Sequence, residues 1–225
     1  MRKLFFGLMI IFVFAGGASA TLVTDSGPFP PGSPVIDFSQ FTGAGEIQGT
    51  NGPVQVGTLV GANVVFTSAN TQGWLSNFDS WGLGPNGNWT SAHNGYASVD
   101  DNSSPMVFTF ATPVAAVGGF MSYQPGNGPI TFEALGTGNV VLETYDLTSA
   151  APISAPATDG GAFRGIARPS ADIVALRIIG GYAVIDNLTF SASAGSAIPA
   201  LAPLGIAALG LLLAAAGVVA LRARA

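Results

Sequence analysis

The chain has no cysteine, one histidine and, between its two ends, no lysine. The missing cysteine excludes disulfide staples, zinc–thiolate sites, iron–sulfur clusters and thiol catalysis. A chain of 225 residues can instead hold itself together with a hydrophobic core. Charge is also scarce, at 8% of residues, and it is uneven. All twelve acidic residues lie between Asp25 and Asp186, whereas the same stretch has only Arg164, Arg168 and Arg177 as cations. A nucleic-acid partner needs clustered Lys and Arg to neutralise phosphates, so nucleic acid is not expected. Attraction to an anionic membrane surface is disfavoured for the same reason. The central region also lacks any long amphipathic helical pattern and any fixed-period repeat, which argues against α/β architectures and solenoids.

What is present begins with a targeting pattern. Arg2 and Lys3 precede an apolar stretch over 4–14, and Ala18-Ser19-Ala20 supplies small residues for cleavage. This is the order of a secretory signal peptide, residues 1–20, with signal peptidase as partner and Thr21 as the mature start. A Pro/Gly-rich lead-in covers 21–34. The body, 35–191, is read as one all-β domain, a jelly-roll-like sandwich. Strands are expected at 35–38, 54–60, 63–67, 96–99, 106–110, 115–123, 130–135, 140–146, 162–167, 172–179 and 182–190. These runs are β-branched and aromatic and are separated by Gly, Pro, Asn and Asp.

The last two strands flank Gly180-Gly181, a two-residue turn signal. A hairpin there would pair Ile179 with Tyr182, Arg177 with Val184, Ala175 with Asp186 and Ile173 with Leu188. Its more apolar face, expected inward, holds Val174, Leu176, Ile178, Ala183, Ile185 and Asn187. Arg177 and Asp186 would then lie diagonally, within ion-pair reach.

Two candidate sites stand out. All three tryptophans, Trp74, Trp81 and Trp89, fall with Phe78, His93 and Tyr96 in one Gly- and Asn-rich stretch. Exposed aromatic faces stack on sugar rings while Asn and Asp edges bond hydroxyls, so Trp74, Trp81, Trp89 and Tyr96 are candidate glycan ligands. The competing reading is that the rings pin the loop from beneath. The second candidate is a structural calcium ion. Carbohydrate-binding jelly rolls often hold one between the first and last strands, and Asp37 and Asp186 occupy matching places, with Glu46 as a helper. Backbone carbonyls would complete the six to eight oxygens calcium takes. The competing reading is the Arg177–Asp186 ion pair. Catalysis has little to stand on: His93 is the sole histidine, there is no Gly-x-Ser-x-Gly elbow, and Ser122 falls in a strand-like run. No enzyme activity is expected.

After a small-residue spacer, 192–197, the chain ends in an apolar segment. Residues 204–221 carry no polar side chain, enough for a short membrane span, and Arg222 and Arg224 follow. The basic end would stay cytoplasmic and the body outside. Ile198-Pro199-Ala200-Leu201, the apolar run and the arginines resemble the PEP-CTERM sorting domains of bacteria, most closely the IPTL-CTERM variety. Ala200 takes the place of the usual Thr, and of the residues that usually follow the motif only Gly205 is kept. The resemblance implies a sorting motif of Ile198, Pro199, Leu201, Arg222 and Arg224 in segment 198–225. It also implies cutting near that motif by an exosortase-like membrane peptidase. The body is similar in style to the β-rich bodies that carry such tails: Val35 to Phe38, Ala116 to Tyr123, Ile130 to Ala134 and Tyr182 to Phe190 carry the likeness. The implied role is a non-catalytic cell-envelope or extracellular-matrix protein associated with exopolysaccharide. It is exported, held at least transiently in the inner membrane, and then found at the cell surface or outside. A surface adhesion protein without a small ligand is the alternative, and a secreted hydrolase a third reading.

Overall fold

A computed structural model describes residues 20–41, 47–76, 81–89, 95–153 and 161–193. They form an all-β body of antiparallel sheets, because short runs rich in Val, Ile, Phe and Thr alternate with Gly- and Pro-bearing turns. The larger sheet has the order β1 (Thr21–Val23), β14 (Ala162–Ala167), β11 (Ala116–Ser122), β16 (Val184–Ser191), β9 (Tyr96–Val99), β6 (Gly73–Ser76) and β3 (Ile47–Thr50). One further strand, β2 (Val35–Ile36), also pairs with β16. The smaller sheet has the order β13 (Val141–Asp146), β12 (Thr131–Leu135), β15 (Ile173–Ile179), β10 (Pro105–Val114), β5 (Val64–Ser68) and β4 (Val54–Gln55). A two-stranded ribbon, β7 (Trp81–Gly82) and β8 (Asn88–Trp89), stands apart.

The two large sheets pack face to face. Val117, Met121, Ile166, Ile185, Leu188 and Phe190 of one meet Phe66, Met106, Phe108, Phe132, Leu176 and Ile178 of the other in a single buried cluster. Rings interlock across it: Phe66 and Phe108 lie 5.5 Å apart, and Phe110 and Phe190 5.2 Å. The larger sheet is also covered on its outer face, which is why β9 is buried at every position. Near β1 and β14 the cover is the lead-in, whose Val23 and Phe29 pack on Phe163 and Ala116. The lead-in is therefore a working part of the sheet. Across β16, β9 and β6 the cover is the Trp-rich excursion.

Most expected strands are present with small shifts, and β9 and β14 match theirs. The run 54–60 is divided: only Val54–Gln55 is a strand, and Thr58–Val60 is a 3-10 turn closed by Gly61 at φ 66°. β1, β3, β6, β7 and β8 are additional to the expected strands: all are two to four residues long, β1 lies in the Pro/Gly-rich lead-in, and the other four carry Gly, Trp or Asn.

The expected final hairpin does not form. Gly180 (φ 89°), Gly181 (φ 64°) and Tyr182 (φ 51°) instead carry the chain from one sheet to the other. β15 pairs with β10 and β12, whereas β16 pairs with β11, β9 and β2. Three successive left-handed residues swing the strand across the core, where a type I′ turn would have only two. Leu176, Ile178, Ala183 and Ile185 face the core as expected, but Val174 and Asn187 do not; at the register shift between Thr109 and Val114, Ile173 points inward in place of Val174. A bulge intervenes: Gly118 pairs with Thr189 but Phe120 with Asp186, and Asn187 has φ 50°. The extra residue lets both Ile185 and Leu188 point inward.

Candidate functional site

That bulge builds the most unusual polar site in the body. β9 pairs with β16 at Val184 and Ile185, and β2 pairs with it at Leu188 and Thr189. Asp186 lies between the two pairings. On the β2 side the chain passes through Asp37 into Phe38, itself left-handed at φ 55° with its ring fully buried. Each carboxylate is thus followed by a residue in a conformation that costs an L-residue about 1–2 kcal/mol. Gly95 makes the close approach possible. A Cβ there would sit 2.7 Å from the Phe38 carbonyl oxygen and 2.9 Å from that of Asp37.

Asp186 is fully buried. Its Oδ1 accepts the Asn187 backbone N–H, while Oδ2 has no hydrogen-bond partner. Burial pushes its carboxyl up to about 8, with the Asn187 hydrogen bond opposing and the nearby Asp37 charge adding to the rise. Asp37 Oδ1 accepts from the Ser39 backbone N–H at 3.1 Å and from the Ser39 hydroxyl at 2.8 Å, which fixes the Asp37 side chain on its own turn.

The arginines of the body are engaged elsewhere. The expected Arg177–Asp186 pair is absent, because the two residues lie in different sheets; Arg177 Nε donates to Glu133 across β12 and β15 at 2.6 Å. Arg168 joins Asp172 at 2.7 Å and Glu143 at 2.5 Å. Arg164 donates to the carbonyls of Ala151, Phe163 and Pro152 at 2.7–2.9 Å. Asp186 therefore lies near a second acidic side chain, Asp37, with no arginine paired to either among the described residues. The unpartnered Asp186 Oδ2 and the Asp37 carboxylate would supply two of the six to eight oxygens that calcium takes, and among the described residues no group of three or more His, Cys, Asp or Glu side chains gathers to complete a site. Glu46, the third expected oxygen ligand, lies outside the described residues, as do His93, the signal peptide and the tail motif from Ile198 to Arg224.

The tryptophans have a different role from the one their composition suggests. Trp89 and Tyr96 are fully buried and Trp81 is 8% exposed. With Leu83 and Val184 they form a second small core on the outer face of the larger sheet. Trp81 faces Trp89 across the ribbon, its ring lies 5.4 Å from that of Trp74, and its Nε1 donates to the Tyr182 carbonyl at 3.1 Å. A buried ring offers no face to a sugar, so Trp81, Trp89 and Tyr96 are pins rather than stacking platforms. Trp74 alone of the three tryptophans is only partly buried.

Two further residues escaped the sequence reading. Asn86 is buried, and its Nδ2 donates to the Tyr123 carbonyl at 2.7 Å, locking the excursion down. The only hint was one asparagine among several in a Gly-rich turn. Phe120 is 40% exposed on the same sheet face, edge-on to Phe163 at 5.5 Å. It sits in an otherwise buried strand and reads there as core. Ser122, excluded as a nucleophile, is buried and accepts from Asn86.

No family model, curated protein or solved structure matches the chain.

Proposed function

We propose that this is a non-catalytic component of the bacterial cell envelope or extracellular matrix, associated with exopolysaccharide. Its jelly-roll-like β-sandwich body is exported by the signal peptide and held, at least transiently, by the C-terminal segment. The observation that carries the reading is the placement of the chain ends. Thr21 and Ser191 both align with one end of β14 and β11, through Ala167 and Ala116. A body entering and leaving at one end suits display on a single C-terminal anchor, with the far end and the covered sheet face turned outward. The sorting motif of Ile198, Pro199, Leu201, Arg222 and Arg224 would then hand the chain to an exosortase-like peptidase.

Asp37 and Asp186 would hold a structural calcium ion, which supplies positive charge where the body has none to spare. Their role is to present oxygens and to tie β2 to the bulge of β16. Surface aromatic area on the larger sheet's outer face comes from Trp74 and Phe120, so these are the rings through which polysaccharide would be met. Co-sedimentation with exopolysaccharide tests this. Trp74→Ala with Phe120→Ala is expected to lose retention while the circular dichroism spectrum is unchanged. Undiminished retention removes these rings from the account and favours adhesion through other surfaces.

A further inference from the structure

The sandwich is asymmetric along its strands. At one end Val114 pairs with Ile173 and Ala116 with Ser191, and β2 and β13 begin there. Among the described residues five large apolar side chains are exposed: Val35 (40%), Leu59 (63%), Phe120 (40%), Val140 (59%) and Val141 (44%). All but Phe120 belong to this end. Leu59 lies in the turn before Asn63, whose carbonyl accepts from Ala111. Val140 and Val141 lie where Gly136 and Leu135 close the β12–β13 connection. An open groove of about 350 Å³, lined by Pro30, Pro31, Pro113, Val114 and Phe190, sits among them. The charges here close on themselves, since Arg168 joins both Glu143 and Asp172. At the opposite end Asp100, Asp101 and Asp146 have no arginine partner among the described residues.

Single exposed apolar residues are ordinary on a protein surface; their collection at one end is not. What lies opposite that end follows from the chain itself. Ser193 is part of the groove wall, and residues 194–203 lead from it to the apolar run 204–221. Fully extended, such a linker spans only about 35 Å. An anchored body therefore has this end held close to the bilayer, at high local concentration.

We propose that this end of the body is a lipid-facing surface, with Leu59, Val35, Val140 and Val141 seated in the bilayer interface. The proposal rests on the anchor reading above. Contact is apolar rather than electrostatic: among the described residues the end offers no uncompensated cation, and the body as a whole is acidic. Seating fixes the tilt of the body and turns Asp100, Asp101 and Asp146 away from the membrane.

The absence of native cysteine makes the test direct. Leu59→Cys, Val140→Cys and Asp100→Cys each give a sole thiol for an environment-sensitive fluorophore. The full chain is reconstituted in phosphatidylcholine vesicles, with and without nitroxide-labelled acyl chains. Labels at 59 and 140 are expected to shift to the blue on reconstitution and to be quenched by the nitroxide lipid, at low and high salt alike. The label at 100 is expected to do neither. Vesicle-bound protein whose three labels all remain in water overturns the proposal and leaves the anchor standing. Protein that fails to float with vesicles defeats the anchor and this inference with it. A blue shift before vesicles are added overturns it in favour of a second copy of the chain.

Discussion

Asp186 shows how one residue can be costly by itself and useful with a partner. A fully buried carboxylate beside Asp37 is stable only if it is protonated or bound to a cation. Its folded pKa is raised, so the folded state holds that proton more tightly than the unfolded chain does. In chelator this favours the fold fully below pH ~4, and the benefit is lost as pH climbs through about 8. Calcium should flatten that decline. At a calcium concentration about a hundred times the dissociation constant, the expected gain is about 2.7 kcal/mol, a rise of several degrees in Tm. Asp186→Asn should abolish the calcium response and the pH slope together. Thermal melts across pH with calcium or chelator check this; superimposable curves remove calcium from the account. Arg164 is the counterpart on the basic side. Its guanidinium satisfies three backbone carbonyls, those of Ala151 and Phe163 buried and that of Pro152 partly so, and Arg164→Met would strand them, lowering stability by about 2–4 kcal/mol in urea titration.

At the level of elements, the Trp-rich excursion is a cover held by rings. Trp89→Ala is expected to cost about 3–5 kcal/mol, since it empties the centre of the second core. Trp74→Ala should cost about 1 kcal/mol or less, because its ring is only partly buried. Equal effects in chemical denaturation would contradict the difference in burial. The same contrast explains what could be read in advance. β9, β14 and most strands of the smaller sheet were legible because β-branched and aromatic residues are bounded there by turn residues. β6, β7 and β8 were not, because Trp, Gly and Asn say little about backbone conformation until the surface beneath them exists. The Gly180-Gly181 pair was correctly seen as a place of positive φ. What that backbone does there depends on a third left-handed residue, Tyr182, which no local rule favours. The missed crossing then carried the Arg177–Asp186 pair away with it. Asp37 and Asp186 were chosen by their positions near the first and last strands, and their proximity survives because β2 pairs with β16. The bulge that buries Asp186, and the burial of Trp81 and Trp89, depend on tertiary packing alone.

On the scale of the molecule, the body is all-β, with two large antiparallel sheets packed on one core, the larger sheet covered on both faces, and Thr21 and Ser191 brought to one pole. That pole carries most of the exposed large apolar side chains, and Asp100, Asp101 and Asp146 lie at the other with no salt bridge among the described residues. The arrangement suits a body displayed from a membrane, then released or retained. Such display requires both ends to be processed as targeting segments. Intact mass spectrometry of the form recovered outside the cytoplasm tests this most directly. The expected mass is that of a chain beginning at Thr21 and ending near Ile198–Leu201. A chain still running from Met1 to Ala225 would contradict it.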